Sequence, residues 1–336
     1  VKVAYDTSPS AFDTLAEEWD GLLRVDNPAH LFLSRDWQRT WWKHMQSGTL
    51  AVMTVRDEAN ALVGVMPLFV QQSRDAGRTV HIVGCEDITD YLDFLLQPGS
   101  EEAALDAWLE FMLSDSSPEW DAIDLCNIRK TSPVYDMLPR LARARGLAVA
   151  TQQQDVCPVV TLPDDYEDYL MLLDGKQRHE LRRKRKRADA QGADFYVVGP
   201  EHDLDEEIDA FLELMALSAA DKADFLQESG HLAFFHEIGR LLYDRGVLSL
   251  VFLTVEGRRA AAMWQFGYGE RMMLYNSGLD AETFSHLSPG IVLLTYSVGD
   301  AIRRGFRYYD FLRGDETYKY RMGAETTTVH NIIIKR

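Results

Sequence analysis

The segment His286–Gly305 reads HLSPGIVLLTYSVGDAIRRG. Ser288 fits the position just before a helix, where a side-chain hydroxyl accepts a bond from an early amide. Pro289 suits the first helical position, where an N–H would have no partner. Gly290 leaves the backbone bare at the first turn. Ile291, Leu294, Val298 and Ile302 recur at helical spacing and predict a buried stripe. Arg303, Arg304 and Gly305 close the helix at the negative end of its dipole. The amides of Gly290 and Ile291 are expected to point outward at the positive end, an arrangement that accepts phosphate or carboxylate. Taken alone, Ser-Pro-Gly also makes an ordinary helix start, and both readings stand at this point.

Strand-like runs flank this helix: RMMLYNSG (Arg271–Gly278) before it and YYDFL (Tyr308–Leu312) after it. The second opens Tyr308–Gly323, YYDFLRGDETYKYRMG, which crowds Asp310, Arg313, Asp315, Glu316, Tyr318 and Lys319 behind a strand end. Such loops carry function because a rigid sheet positions them. Glu316 is the preferred general base, Asp315 its alternate and Tyr318 a proton donor. Arg313 and Lys319 add cationic contacts for a substrate. The competing reading is a salt-bridged turn in which Arg313 pairs Asp315 or Glu316.

The rest of the chain repeats one order of elements. In the first half the strands LAVMTV and ALVGVMPLFV flank the turn RDEAN, and TVHIVG, an acidic loop, the helix EEAALDAWLEFML and the strand in WDAIDLCNI follow. In the second half VLSLVFLTV and AAAMWQFGYG flank EGRR, and RMMLYNSG, the His286–Gly305 helix and YYDFL follow. The 336 residues suit about two domains. We expect lobes at 1–160 and 161–336, with DVCPVVTLPDDYEDY (Asp155–Tyr169) as the passage between them.

Composition is that of a globular protein, with a formal net charge of −18. That charge argues against broad binding to nucleic acid. No run approaches the length of a membrane span, and the first residues lack a signal-peptide pattern. Cys85, Cys126 and Cys157 are sparse and without C-x-x-C pairing, so reduced buried thiols and a cytoplasmic location are expected. Nine scattered histidines lack ligand spacing, and no metal is expected. No G-x-x-x-x-G-K-[ST], G-x-S-x-G or H-E-x-x-H occurs, which disfavours a P-loop kinase, a serine hydrolase and a zinc protease.

Against this acidity stands KQRHELRRKRKR, Lys176–Arg187, eight of whose twelve residues are basic. On a helix Arg178, Arg182 and Arg185 share a face, and Leu181 and Ala188 mark a thin buried stripe. The run is either a solvated face or an anion site. In the second reading Lys176, Arg178 and Arg182 face the groove between lobes and hold an anionic part of donor or acceptor.

The motifs FLSRDWQRTWWKH, GVMPL, DYLDFLL, KQRHELRRKRKR, SPG and DFLRGDETYK occur in that order along nearly the whole chain. Together they resemble the acetyltransferase family first named for cellulose-biosynthesis proteins. That family lies in the GNAT superfamily and is akin to the Fem-type aminoacyl transferases. The resemblance implies an α/β fold (mixed sheets with flanking helices) of two tandem GNAT-like lobes. It implies a donor, acetyl-CoA or another acyl-CoA, inserted between RMMLYNSG and YYDFLR. The donor's pyrophosphate would then meet Ser288, Gly290 and Ile291. The chain departs from the superfamily in lacking an [RQ]-x-x-G-x-[GA] loop, and SPG stands in its place. An acyltransferase is thus expected, acting on an amine or hydroxyl of a sugar, glycan precursor or small metabolite. The alternatives are a Fem-like enzyme using aminoacyl-tRNA and a non-catalytic module that binds an anionic polymer.

Overall fold

In the computed structural model, which describes residues 1–73, 77–85 and 88–336, the chain forms two compact units. Unit 1 comprises Val1–Val156 and Thr327–Arg336, and unit 2 comprises Cys157–Thr326. The expected border at 160/161 falls inside a strand, and the last ten residues belong to the first unit rather than the second.

Unit 1 runs β1 (Lys2–Asp6), α1 (Ala11–Thr14), α2 (Ala16–Leu22), α3 (Ala29–Phe32), α4 (Arg35–Met45), β2 (Thr49–Arg56), β3 (Leu62–Ser73) and β4 (Gly77–Ile82). It continues with β5 (Leu95–Leu96), α5 (Glu101–Met112), β6 (Ala122–Arg129), α6 (Pro133–Ala144) and β7 (Ala148–Thr161), whose residues from Cys157 onward belong to unit 2. Unit 2 follows with α7 (Tyr166–Leu172), α8 (Gly175–Asp189), β8 (Ala193–Val197), α9 (Leu204–Ser218), α10 (Ala220–Gln227), α11 (His231–Asp244), β9 (Leu248–Val255) and β10 (Arg258–Tyr268). It ends with β11 (Arg271–Leu279), α12 (Ala281–Phe284), α13 (Pro289–Arg303), β12 (Tyr308–Asp310) and α14 (Thr317–Arg321). The chain closes with β13 (Glu325–Lys335).

Within unit 1 the strand order is β1-β2-β3-β4-β6-β13; within unit 2 it is β8-β9-β10-β11-β12-β7. The two orders match position for position. In each, an antiparallel meander leads to one parallel pair, β4 with β6 and β11 with β12. In each, an antiparallel strand then flanks the last member. That flanking strand is the chain terminus β13 in unit 1 and the mid-chain β7 in unit 2, so the tandem lobes exchange their closing strands. The exchange explains why the last residues pack with the first unit.

In unit 1 the parallel pair is plugged by the chain's own segment. Beyond His81 and Asp124 the strands β4 and β6 stop pairing. Leu92 bridges to Ile128 there, and its amide donates to the Asn127 carbonyl at 3.0 Å. Asn127 Nδ2 donates in turn to the Thr89 carbonyl at 2.7 Å. Cys85 and Cys126 form a disulfide across the same region, with Cα atoms 6.0 Å apart. This corrects the expectation of three reduced thiols, because parallel pairing of β4 with β6 brings together cysteines 41 residues apart. Cys157 lies outside the disulfide and is buried.

Candidate functional site

In unit 2 the parallel pair is open. β11 pairs with β12 only at Arg271↔Tyr308, Met272↔Tyr309 and Met273↔Asp310, after which β12 ends while β11 runs on to Leu279. Between Trp264 and Gln265 of β10 the partners skip from Asn276 to Leu274, leaving Tyr275 as an extra residue. A bulge of this kind increases twist and re-aims the strand. Gly278 then allows α9 to approach, since a Cβ there would lie 2.3 Å from the Met215 amide nitrogen.

The far end of β11 and the start of α13 enclose a cavity of about 310 Å³, lined mainly by Met263, Leu279, Ile291, Leu294, Ser288 and Tyr318. The expected cradle residues Ser288, Gly290 and Ile291 all reach it. Their geometry differs from expectation in two respects. Ser288 adopts a left-handed conformation (φ 56°) and its side chain makes no cap bond. Its carbonyl instead accepts the amides of Ile291 and Val292, each at 3.1 Å. The Ile291 amide is therefore spent inside the first turn. The Gly290 amide has no acceptor among the described residues. α13 is buried on nearly all sides because the sheet covers one face and α8 packs on another.

The loop after β12 is built around Lys319. Asp310 is buried, and its Oδ1 accepts the Leu312 amide at 2.9 Å, holding Leu312 at φ 53°. Lys319, 3% exposed, donates to the carbonyls of Arg313 (2.6 Å) and Gly314 (3.1 Å), and pairs with Glu316 Oε2 at 2.9 Å. All three ammonium protons are thus used within the loop, so Lys319 shapes it rather than presenting a charge to substrate. Glu316 stays exposed. Asp315 accepts the Tyr320 hydroxyl at 2.6 Å, and Glu316 pairs with Lys319. Tyr318 lines the cavity, and burial, aided by the Glu316 charge, pushes its phenol well above the usual tyrosine range. It stays neutral and able to donate a proton. Behind β12, Gln265 Nε2 donates to the hydroxyls of Tyr309 and Ser297, each at 2.6 Å, tying β10, β12 and α13 together.

One residue beside the site was not foreseen. Lys222 on α10 donates to the Ser277 carbonyl at 2.6 Å and to Asn276 Oδ1 at 3.0 Å. Both acceptors lie on the part of β11 beyond its pairing with β12. Burial lowers the Lys222 pKa, while the carboxylates of Asp221 and Glu316 oppose that shift. Sequence carried no signal for it, since its partners lie 54 and 55 residues away.

The basic run forms α8 as expected, with Asp174 as its cap, accepting the Gln177 amide at 2.9 Å. The structure does not bring Lys176, Arg178 or Arg182 to the cavity lining. Arg178 donates to the carbonyls of Leu170 and Leu173, each at 3.3 Å, capping the end of α7. Arg182 pairs with Glu167. Arg183 and Lys184 pair with Glu180, and Arg185 lies 4.4 Å over the Tyr296 ring. Lys176 is exposed. The far end of α8 meets the turn Ser285–Leu287, where Gln191 and His286 touch at 3.3 Å. Among the described residues, Lys186 and Arg187 at that end have no carboxylate partner, and Arg187 Nε is buried without an acceptor. No group of three or more His, Cys, Asp or Glu among the described residues is arranged to hold a metal. No helix among them is long and apolar enough to cross a membrane.

Residues 175–320 match the family model "Acetyltransferase (GNAT) domain". Across nearly the whole chain the fold is similar to that of FemX (12% identity, TM-score 0.68, covering 99% of this chain and 97% of that one). The chain has a GNAT-superfamily, Fem-related fold. L-PGS from Bacillus licheniformis is similar over 100% of this chain and 94% of its own (11% identity, TM-score 0.58). A tandem GNAT protein from the clavulanic acid biosynthesis pathway is similar over 98% of each chain (12% identity, TM-score 0.51). No curated protein matches the sequence. The structural likenesses show the fold, the family model places a GNAT acetyltransferase domain at residues 175–320, and neither extends to the narrower cellulose-biosynthesis type.

Proposed function

We propose that unit 2 transfers an acyl group from acetyl-CoA or another acyl-CoA to an amine or hydroxyl acceptor, such as a sugar, glycan precursor or small metabolite. The observation that carries this reading is the cavity at the start of α13, walled by the part of β11 beyond its pairing with β12. A narrow, largely apolar acyl-pantetheine arm suits walls of Met263, Leu279, Ile291 and Leu294. The open Gly290 amide and the positive end of α13 offer the donor's phosphates a place.

In this reading the acceptor attacks the thioester carbonyl. Glu316 takes the acceptor's proton, and Lys222 faces the charge that develops on the carbonyl oxygen. The C–S bond breaks, and Tyr318 protonates the departing thiolate. The Tyr318 phenolate then regains a proton through solvent, and Glu316 releases one, so the cycle closes on free CoA and acylated acceptor. Asp315 is the alternate base, and Arg313 is a further loop cation near an anionic acceptor.

A second reading has a specific observation behind it. One free amide is a sparse cradle for a diphosphate, while Lys186 and Arg187 lie at the end of α8 that meets the turn beside the cavity. A donor carried on tRNA would lay phosphates there. Thermal melts with acetyl-CoA, charged tRNA and an uncharged polyanion separate the readings, because a ligand raises the melting temperature according to its concentration over Kd. Stabilisation by micromolar acetyl-CoA supports the first reading. Stabilisation by charged tRNA alone supports the second, and a response to every polyanion but no CoA marks a binding module.

A further inference from the structure

Unit 1 has a polar cavity of its own, of about 60 Å³, that the transfer chemistry leaves unused. Its polar lining comprises Arg24, Asn27, His30, Asp93 and Glu101, and Leu96 and Pro133 form apolar wall. Asp93 sits in the DYLDFLL stretch and is 3% exposed. Its Oδ1 accepts the Ser132 hydroxyl at 2.7 Å and the Phe94 amide at 2.9 Å. Its Oδ2 accepts no hydrogen bond among the described residues, and the Asp93 side chain lines the cavity. His30, also 3% exposed and lining the same cavity, accepts the Arg24 amide on Nδ1 at 2.9 Å. A neutral imidazole that accepts on Nδ1 carries its proton on Nε2. Burial holds His30 neutral, lowering its pKa to about 4. Burial also raises Asp93 to about 6, so it is mostly ionised at neutral pH. The cavity therefore offers one fixed acceptor and one fixed donor.

We propose that this cavity binds one hydroxyl of a sugar or polyol, which donates to Asp93 Oδ2 and accepts from His30 Nε2–H. A hydroxyl is the small neutral group that does both at once. An anion would meet two carboxylates, Asp93 and Glu101, while the lining cation, Arg24, pairs with Asp26. An ammonium has nothing to offer the His30 N–H and would lie near the cations Arg24 and Arg129. A liquid water takes about 30 Å³, so the space holds roughly two waters or one hydroxymethyl group, with the ring outside against Leu96 and Pro133. This site stands independently of the donor reading in unit 2, because it requires no acyl group.

The test is titration of the whole chain with N-acetylglucosamine, glycerol, methylammonium chloride and sodium phosphate, read on the His30 Nε2–H resonance. Saturable shifts with the sugar or the polyol, weakened about tenfold or more by Asp93→Asn, are expected. Asparagine keeps the Oδ1 acceptor for Ser132 and Phe94 and replaces the free acceptor with a donor. Response to methylammonium or phosphate in place of the hydroxyl compounds overturns the proposal. So does silence with every probe, or undiminished sugar binding in folded Asp93→Asn. Should that variant not fold, wild-type crystals soaked in the sugar decide. A hydroxyl seated between His30 and Asp93 upholds the site, and a sugar bound elsewhere or nowhere overturns it.

Discussion

Lys222 Nζ lies 2.6 Å from the Ser277 carbonyl, which fixes a cation against the part of β11 that has left its partner strand. Removing a positioned group that faces a developing oxyanion slows catalysis by about 10²–10³-fold. Lys222→Met is therefore expected to lower kcat by about that factor and to leave donor affinity nearly unchanged. The ammonium is the active form, and its pKa lies below the usual lysine value. Wild-type activity should fall with rising pH before pH reaches about 10.5. That alkaline limb should vanish in Lys222→Met. A pH–rate profile of both proteins checks it, and an unchanged limb removes Lys222 from the reaction.

Glu316→Gln and Tyr318→Phe probe the two proton transfers. Each is expected to reduce kcat by about 10²-fold or more while Tm stays within a few degrees, since Glu316 is exposed and the Tyr318 hydroxyl has no hydrogen-bond partner among the described residues. Single-turnover measurements separate them. Loss of base should be partly offset at high pH by a deprotonated acceptor, and loss of the phenol should not. Full activity in Glu316→Gln at every pH passes the role to Asp315 or to solvent.

Much of this site was legible locally. The His286–Gly305 helix and the strand at Tyr308 declare themselves by periodicity and by Ser-Pro-Gly, and so does the polar loop behind them. What was illegible depends on partners far along the chain. Nothing in TTTVHNIIIK says that it closes the first lobe, because a strand's neighbour is chosen by tertiary fit rather than by its own residues. Lys319 and Arg178 looked like substrate contacts because sequence shows a charge but not the carbonyls that consume it. Cys85 and Cys126 likewise gave no pairing signal, since only the parallel strands bring them together.

Two glycines near the cavity should answer differently to substitution. A Cβ at Gly278 would lie 2.3 and 2.4 Å from backbone atoms of Met215 and Leu214, which cannot swing away. Gly278→Ala is expected to destabilise unit 2 by about 3 kcal/mol, as overpacking does. At Gly290 the nearest atom is the Leu279 Cδ2 methyl at 3.1 Å, the end of a movable side chain. Gly290→Val should leave the melting temperature almost unchanged and weaken acetyl-CoA binding about tenfold or more, by filling the cavity mouth beside the free amide. Calorimetric titration together with thermal melts distinguishes the two. Unaltered acetyl-CoA affinity in folded Gly290→Val removes the cradle from this position.

Asp93 and His30 make opposing contributions to stability across mildly acidic pH. The Asp93 pKa is raised from 3.8 to about 6, so its neutral form is favoured in the fold, and stability is lost as pH rises from about 4 through 6. The His30 pKa is lowered from 6.5 to about 4, so the unfolded chain binds more protons in that window and stability is gained as pH rises. Asp93→Asn should therefore steepen the rise in stability between pH 4 and 6.5, by an amount on the order of 2 kcal/mol. His30→Gln should flatten it. Urea unfolding at several pH values measures both slopes, and identical slopes in wild type and Asp93→Asn disprove the assignment.

The basic helix α8 is where the two donor readings diverge. Arg178 caps α7, so Arg178→Gln should cost about 1 kcal/mol of stability and leave ligand binding alone. Arg182 spends its charge on Glu167 at the surface, and Arg182→Gln should change little. Lys186 and Arg187 are different. They have no carboxylate partner among the described residues, and they sit where α8 meets the turn before α13. If the donor is tRNA, its phosphates displace salt ions there, and affinity falls steeply as salt rises. Replacing Lys186 and Arg187 together with glutamine should then weaken tRNA binding and reduce the slope of log affinity against log salt by about two. If the donor is acyl-CoA, its few phosphates give a shallow slope, and the double variant changes acetyl-CoA affinity only modestly. A filter-binding salt series with charged tRNA, run beside calorimetry with acetyl-CoA, reads both slopes. A wild-type tRNA slope that survives the double substitution assigns α8 to solvation of an acidic chain and leaves the CoA reading in place.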